Sequence, residues 1–298
     1  IANTSWGSLR EYSINLDYLN ITKIYTIIFY TLSGLALCAY YKKRYLTCIL
    51  ILTVSLIQVL LTRNRIEILP MLVFFISVFI FKIKKIKPST LIFSVLASIV
   101  VVYLVYALRV FRHYGSLSTF INEFNIDEFT SRINYYFATD NGELGLRRAF
   151  YHFIANNNNF KNFGRGHTYI RMLFVFIPTK FSFGLKPDDF AQSMGAAVGM
   201  GKGGSYHPTL FGDCYANLGW YGIFLGAFWA LFATFFDKLI LNNKNKNYLL
   251  LMYALSAVGY TIIGRGSVYN GFVNVAYGTL ILLIFRYINS LNIKVSIK

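Results

Sequence analysis

Charge is scarce in this chain. Only 14% of its 298 residues are Asp, Glu, Lys or Arg, where a soluble domain carries about a quarter. Acidic residues are scarcer still, 12 against 29 basic ones, for a formal net charge of +17. Hydrophobic residues make up 56% and the mean hydropathy is +0.50, which excludes an ordinary soluble domain and predicts an integral membrane protein. Three cysteines, Cys38, Cys48 and Cys214, offer no disulfide framework. No His, Cys and carboxylate spacing resembles a zinc site, and no G-x-S-x-G element points to a serine hydrolase. The run from Gly195 to Lys202 falls short of a P-loop, because five residues rather than four separate Gly195 from Gly201-Lys202 and Gly203 follows. Internal repeats and inverted pairs of broken helices, the marks of many secondary transporters, are also missing.

The chain has long apolar runs instead. Seven stretches approach the roughly 20 residues of helix that a hydrocarbon core requires: 21–41, 45–62, 66–81, 89–108, 217–236, 247–264 and 271–288. The third is short and contains Pro70, so a broken or re-entrant helix is one expectation for it. Basic clusters at Lys42-Lys43-Arg44, Lys82 to Lys87, Lys238 to Lys246 and Arg286 to Lys298 fall at alternate ends of the spans. Short positive loops are retained in the cytoplasm. The threading that satisfies all four clusters puts residues 1–20, the turns near Arg63 and Arg265, and the long segment 109–207 outside. If the amino terminus of the native chain starts inside, at least one further span precedes Ile1. The positive charge is then a topology signal, and nucleic acid is not an expected partner.

Three regions result: about four spans in 1–108, an outer loop region in 109–207, and about three spans in 208–298. The outer segment holds all four histidines, His113, His152, His167 and His207, and seven of the thirteen arginines. Apolar residues recur at helical spacing around 116–137, 144–155 and 168–177, predicting short helices lying at or above the membrane. Asp140 and Glu143 fit a capping box opening the second of these. Gly195 to Ser205 has the composition of a loop and would suit a mobile lid. Asp188-Asp189 reads either as a divalent-ion site or as a solvated turn.

Several cationic constellations have two readings each. Arg63, Arg65 and Glu67 are either an interfacial group with an Arg63/Glu67 pair at i,i+4, or a phosphate clamp, since guanidinium forks match phosphate oxygens bidentately. Arg109, Arg112 and His113 would share one helix face, as headgroup anchors or as site residues. Arg147 precedes Tyr151 and Arg148 precedes His152 by one turn, as a solvated face or a site. Arg265 stands in Gly264-Arg265-Gly266-Ser267, where small neighbours let a backbone or a ligand approach. His207 and Asp213 stand at the mouth of a span, where an ionisable residue is a functional candidate. The alternative is a helix start, with Pro208 in an early-turn position and Asp213 near the first turn.

The carboxy-terminal two-thirds resembles the Wzy-type O-antigen polymerases, within the wider group of bacterial oligosaccharide repeat-unit polymerases. Three pieces carry the resemblance: Thr62-Arg63-Asn64-Arg65; Gly166-His167-Thr168-Tyr169 with Ile177-Pro178 and Lys186-Pro187; and Pro208 to Asp213 with Asn217-Leu218-Gly219. Many relatives have glutamate where Asp213 stands, and Thr62 with an extra arginine departs from the usual serine-arginine form.

The resemblance implies an all-α polytopic bundle of the GT-C kind with a large, mostly helical periplasmic loop, in a bacterial inner membrane. It implies a glycosyltransferase that moves a growing glycan from undecaprenyl pyrophosphate to a sugar hydroxyl on another lipid-linked repeat unit, with no metal or other cofactor. The expected partners are the lipid-linked oligosaccharides, the bilayer and a chain-length regulator. Breaking a glycosyl-pyrophosphate bond needs charge stabilisation on the leaving group and a base for the attacking hydroxyl. Arg63, Arg65 and Arg265, with Arg147 and Arg148, are the expected pyrophosphate ligands. Asp213 or His207 would orient or deprotonate the acceptor. Two alternatives stand beside this one: an O-antigen ligase using the same donor, and a flippase or carrier that leaves the oligosaccharide unchanged.

Overall fold

The computed structural model describes residues 21–62, 65–82, 117–138, 146–157, 163–198, 206–242 and 245–295, with isolated positions between 89 and 114. Among the described residues there is no extended strand. The elements are α1 (Ile21–Tyr41), α2 (Tyr45–Thr62), α3 (Leu69–Lys82), α4 (Leu117–Glu123), α5 (Ile126–Ala138), α6 (Leu146–Ala155), α7 (His167–Leu173), α8 (Phe190–Ala197), α9 (Thr209–Leu218), α10 (Leu225–Leu241), α11 (Lys246–Arg265) and α12 (Val268–Val295). A 3-10 turn at Arg65–Ile68 leads into α3, and another at Gly219–Phe224 joins α9 to α10.

Among the described residues, three helical stretches are long and apolar enough to cross a membrane: Thr209–Leu241, Lys246–Arg265 and Val268–Ile288. Thr26–Tyr41, Tyr45–Val59 and Ile66–Phe79 are shorter apolar helices. The expected span at 89–108 lies mostly outside the described residues. Pro70 does not break the third stretch. It stands second in α3, where its missing N–H would have no intrahelical partner in any case.

The core forms where α11 meets α1 and α12. Leu37, Ala254, Leu255 and Val258 are fully shielded there, and Ile66 and Leu69 pack onto the same cluster as Ile262. Small residues set the spacing of α11 and α12. A Cβ on Gly271 would meet the carbonyl oxygen of Gly259 at 2.6 Å, so the two backbones touch where side chains would hold them apart. Close packing of this kind is what brings membrane helices together, since lipid tails compete for purely apolar surface.

Local chemistry sets the helix ends. Asn245 caps α11, its side chain accepting from Asn247 N at 3.0 Å. Gly266 ends α11 with φ 102, and Ser267 N donates to Ile262 O at 3.1 Å, the long-range bond of a Schellman cap. Asp189 caps α8, accepting from Ala191 N at 3.1 Å and Gln192 N at 3.3 Å. Asp189 thus serves as a helix cap, while Asp188 beside it is exposed, as a solvated turn requires. The expected loop beginning at Gly195 starts later, because Gly195 to Ala197 complete α8 and Met194 and Gly195 are buried. Residues 199–205 and the Asp140/Glu143 capping box lie outside the described residues.

Candidate functional site

Asp213 is the fifth residue of α9, past the first turn, so the helix-start role does not apply to it. Its exposure is 0%. Thr168 Oγ1 donates to Asp213 Oδ2 at 2.9 Å, and Asn217 Nδ2 donates to Asp213 Oδ1 at 3.2 Å and to Asp213 O at 2.8 Å. Asn217 also donates to Thr168 Oγ1 at 3.2 Å and accepts from Thr168 N at 3.0 Å. One further bond, Gly166 N to Asn217 O at 3.1 Å, closes the group. The runs Gly166–Tyr169 and Pro208–Gly219 are therefore joined into one buried polar cluster. Each carboxylate oxygen has two lone pairs, so Asp213 keeps acceptor capacity beyond these two bonds.

A small cavity of about 10 Å³ is lined by Asp189, Phe190, Ala191, Asp213 and the stretch Gly266 to Tyr269. Gly266 is what brings that stretch in. A Cβ there would sit 2.4 Å from Thr209 N and 2.8 Å from its Cα, so only glycine lets the turn after Arg265 lie against Pro208 and Thr209. Small neighbours around Arg265 thus serve a backbone approach, one of the two uses the sequence suggested. Arg265 ends α11, where a cation complements the helix dipole.

The other expected residues are placed as follows. His207 is half-buried in the segment leading into α9, which is pinned to α8 by Tyr206 N donating to Ala191 O at 2.9 Å. Arg147 and Arg148 are in α6, placed by their backbones alone. That helix packs on α9 through Phe150 against Tyr215, with ring centroids 5.6 Å apart. Arg65 opens the 3-10 turn beside the Ile262 cluster, again placed by its backbone. Arg63, Arg109, Arg112 and His113 lie outside the described residues. The elements carrying Arg265, His207, Asp213, Arg147 and Arg148 thus share packing contacts around α9, whereas the 3-10 turn of Arg65 packs on α2 and α3.

Sequence reasoning assigned no role to Thr168 or Asn217, and its two readings of Asp189 do not include capping α8. A signal existed for Asn217, since Asp213 and Asn217 stand at i,i+4 on one helix face. Thr168 is 45 residues away in sequence and carries no local signal. His167 is also buried, at 6%, with Nε2 2.6 Å from Asp188 O. Carbonyls only accept, so Nε2 carries the proton. Burial holds the imidazole below its ordinary pKa of 6.5, with Arg171 acting in the same direction and Asp188 and Asp189 against it. Among the described residues, no group of three or more His, Cys, Asp and Glu could hold a metal ion.

The arrangement offers a buried, anchored carboxyl at a small cavity, with cation-bearing elements around it. Compared with known proteins, the chain matches no family model, no curated protein and no solved structure.

Proposed function

We propose that this chain is a membrane glycosyltransferase that polymerises lipid-linked oligosaccharides, working at the periplasmic face of a bacterial inner membrane. In the step proposed, a sugar hydroxyl of one lipid-linked unit attacks the anomeric carbon of a glycan held on undecaprenyl pyrophosphate. The bond from that carbon to the pyrophosphate oxygen breaks, a glycosidic bond forms, the hydroxyl proton is lost, and undecaprenyl pyrophosphate leaves. Arg265, with Arg63, Arg65, Arg147 and Arg148, is assigned to the leaving pyrophosphate, whose developing charge is what catalysis must stabilise. Asp213 and His207 are assigned to the acceptor hydroxyl.

The observation that carries this reading is the contact of Gly266 with Thr209. It sets the turn after Arg265 against Pro208 and Thr209, between His207 and Asp213 in sequence, which supports assigning the pyrophosphate and the acceptor hydroxyl to neighbouring residues. The test is incubation of the purified protein, in detergent with excess EDTA, with a single lipid-linked repeat unit. A ladder of lengthened products supports the polymerase. A product that appears only when lipid A core is added identifies a ligase instead, and unchanged substrate in both reactions from folded protein overturns the glycosyltransferase reading.

A further inference from the structure

The segment from His167 to Asp188 runs alongside α12 and comes back. Arg171 lies over the ring of Tyr269, the second residue of α12, at 4.6 Å. Five residues further on, Phe176 meets the ring of Tyr277 with centroids 5.1 Å apart. Eight residues of helix separate the two tyrosines, a distance of about 12 Å along the axis. Tyr277 is close to the middle of the apolar stretch Val268–Ile288. On the way down, Met172 and Val175 pack in one cluster with Val273 of α12 and with Trp229 and Ile263 from the other two membrane-crossing stretches. The return strand ends where the descent began, at the bond from His167 Nε2 to Asp188 O.

Two cationic side chains act as rungs. Arg171 donates to Pro187 O and Lys186 Nζ to Ile177 O at 2.8 Å, each bonding across the two limbs. Further carbonyls are met inside the turn: Phe181 N donates to Pro178 O, Ser182 N and Oγ to Thr179 O, and Leu185 N to Ser182 O. Irregular backbone at membrane depth needs such closure, because lipid tails offer no hydrogen-bond partner. The side chains face the opposite way in chemistry. Leu173, Phe176, Phe181, Phe183 and Leu185 are all exposed, Phe183 at 91% and held outward by a φ of 48. Between Met172 and Leu185 the single charge is Lys180, whose long stem can carry its ammonium to an interface.

We infer that residues 173–185 form a re-entrant hairpin whose apolar tip is buried among the acyl chains of the bilayer, entering and leaving at the Gly266 end of α11 and α12. The occupant is the bilayer itself, because the hairpin lies along a membrane-crossing helix to its mid-depth and presents the same kind of surface as that helix. The region 109–207, expected to lie at or above the membrane, then contributes one segment within it, and the polar cluster of Thr168, Asp213 and Asn217 sits at that segment's root.

The test uses the full chain in nanodiscs of phosphatidylethanolamine and phosphatidylglycerol. A nitroxide is attached at Phe183→Cys or Leu185→Cys, with Cys38, Cys48 and Cys214 replaced by Ala. Collision rates with oxygen and with a nickel chelate are compared with those of Ile284→Cys, on the exposed face of α12, and Glu128→Cys, on α5. The oxygen-to-nickel ratio at 183 and 185 is expected to match that at 284 and to exceed that at 128 several-fold. A ratio like that at 128 places the tip in water and overturns the inference, as does low collision with both reagents, which would mean protein covers it. Should the cysteine-free background not fold, benzoylphenylalanine at Phe183 in the native chain gives the same decision: adducts of lipid mass support insertion, and their absence, or adducts of protein mass alone, overturn it.

Discussion

Thr168 donates its hydroxyl to Asp213 across 2.9 Å, with both residues at or below 1% exposure, and this bond fixes α7 to α9. Among the described residues the donors to this carboxyl are neutral, the Thr168 hydroxyl and the Asn217 amide. Replacing Thr168 with Val keeps the shape and removes the donor. A buried group left unsatisfied costs about 1–3 kcal/mol, so Thr168→Val should unfold at lower temperature or denaturant in detergent, while Thr168→Ser should lose much less. Equal stability of the Val and Ser variants would show that the bond carries no weight.

Asn217 is the more demanding position because its amide is used at both ends, donating to Asp213 and Thr168 and accepting from Thr168 N. Asn217→Asp removes every donated bond and sets a second carboxyl beside Asp213 in a site with 0% exposure. An uncompensated buried charge costs about 3–5 kcal/mol, so the variant should fail to accumulate in the membrane at neutral pH. Expression at the native level, with a native melting profile, would contradict the packing described.

Gly266 is a position where stability and activity should fall together. Its φ of 102 strains any other residue, and a Cβ would collide with Thr209 N. Gly266→Ala should cost roughly 1–3 kcal/mol in backbone strain and steric displacement. In the polymerisation assay it should also shorten the products, because the Arg265 turn moves away from the His207 segment. Gly264→Ala, where a Cβ would meet nothing within 4 Å, is the control and should leave the protein as stable as wild type.

The pH dependence of stability has a source in His167. Its pKa in the folded chain lies below the ordinary 6.5, so on acidification the unfolded chain takes up a proton that the folded chain resists. Stability should be full above about pH 6.5 and fall as pH drops below it. A melting series in detergent from pH 8 to pH 5 should show the decline in wild type and a shallower one in His167→Gln, which retains an amide N–H for Asp188 O. A decline of the same slope in both would assign the effect to other groups.

The helices around 117–138 and 146–155 were legible because periodicity is a local property, and the Gly264 to Ser267 stretch was legible because a glycine pair between two apolar runs has few uses. The position of Asp213 misled: near a helix start in sequence, it lies one residue beyond the first turn and points into the core. The partner that explains its burial, Thr168, is 45 residues away, and no spacing rule reaches that far. Similarly, the spacing predicts a helix over 168–177, but α7 ends at Leu173, and the contact of Phe176 with Tyr277 that follows is not readable from periodicity.

Asp189 serves two masters. Its Oδ1 holds the first turn of α8, and the residue also lines the cavity beside Asp213. A molecule that enters the cavity and bonds that oxygen competes with Ala191 N and Gln192 N for it. The free energy by which such binding loosens α8 must equal the free energy by which an intact α8 weakens binding. Occupancy of a small void is thereby linked to the order of the helix from which the glycine-rich stretch departs, and no contact between the two is required.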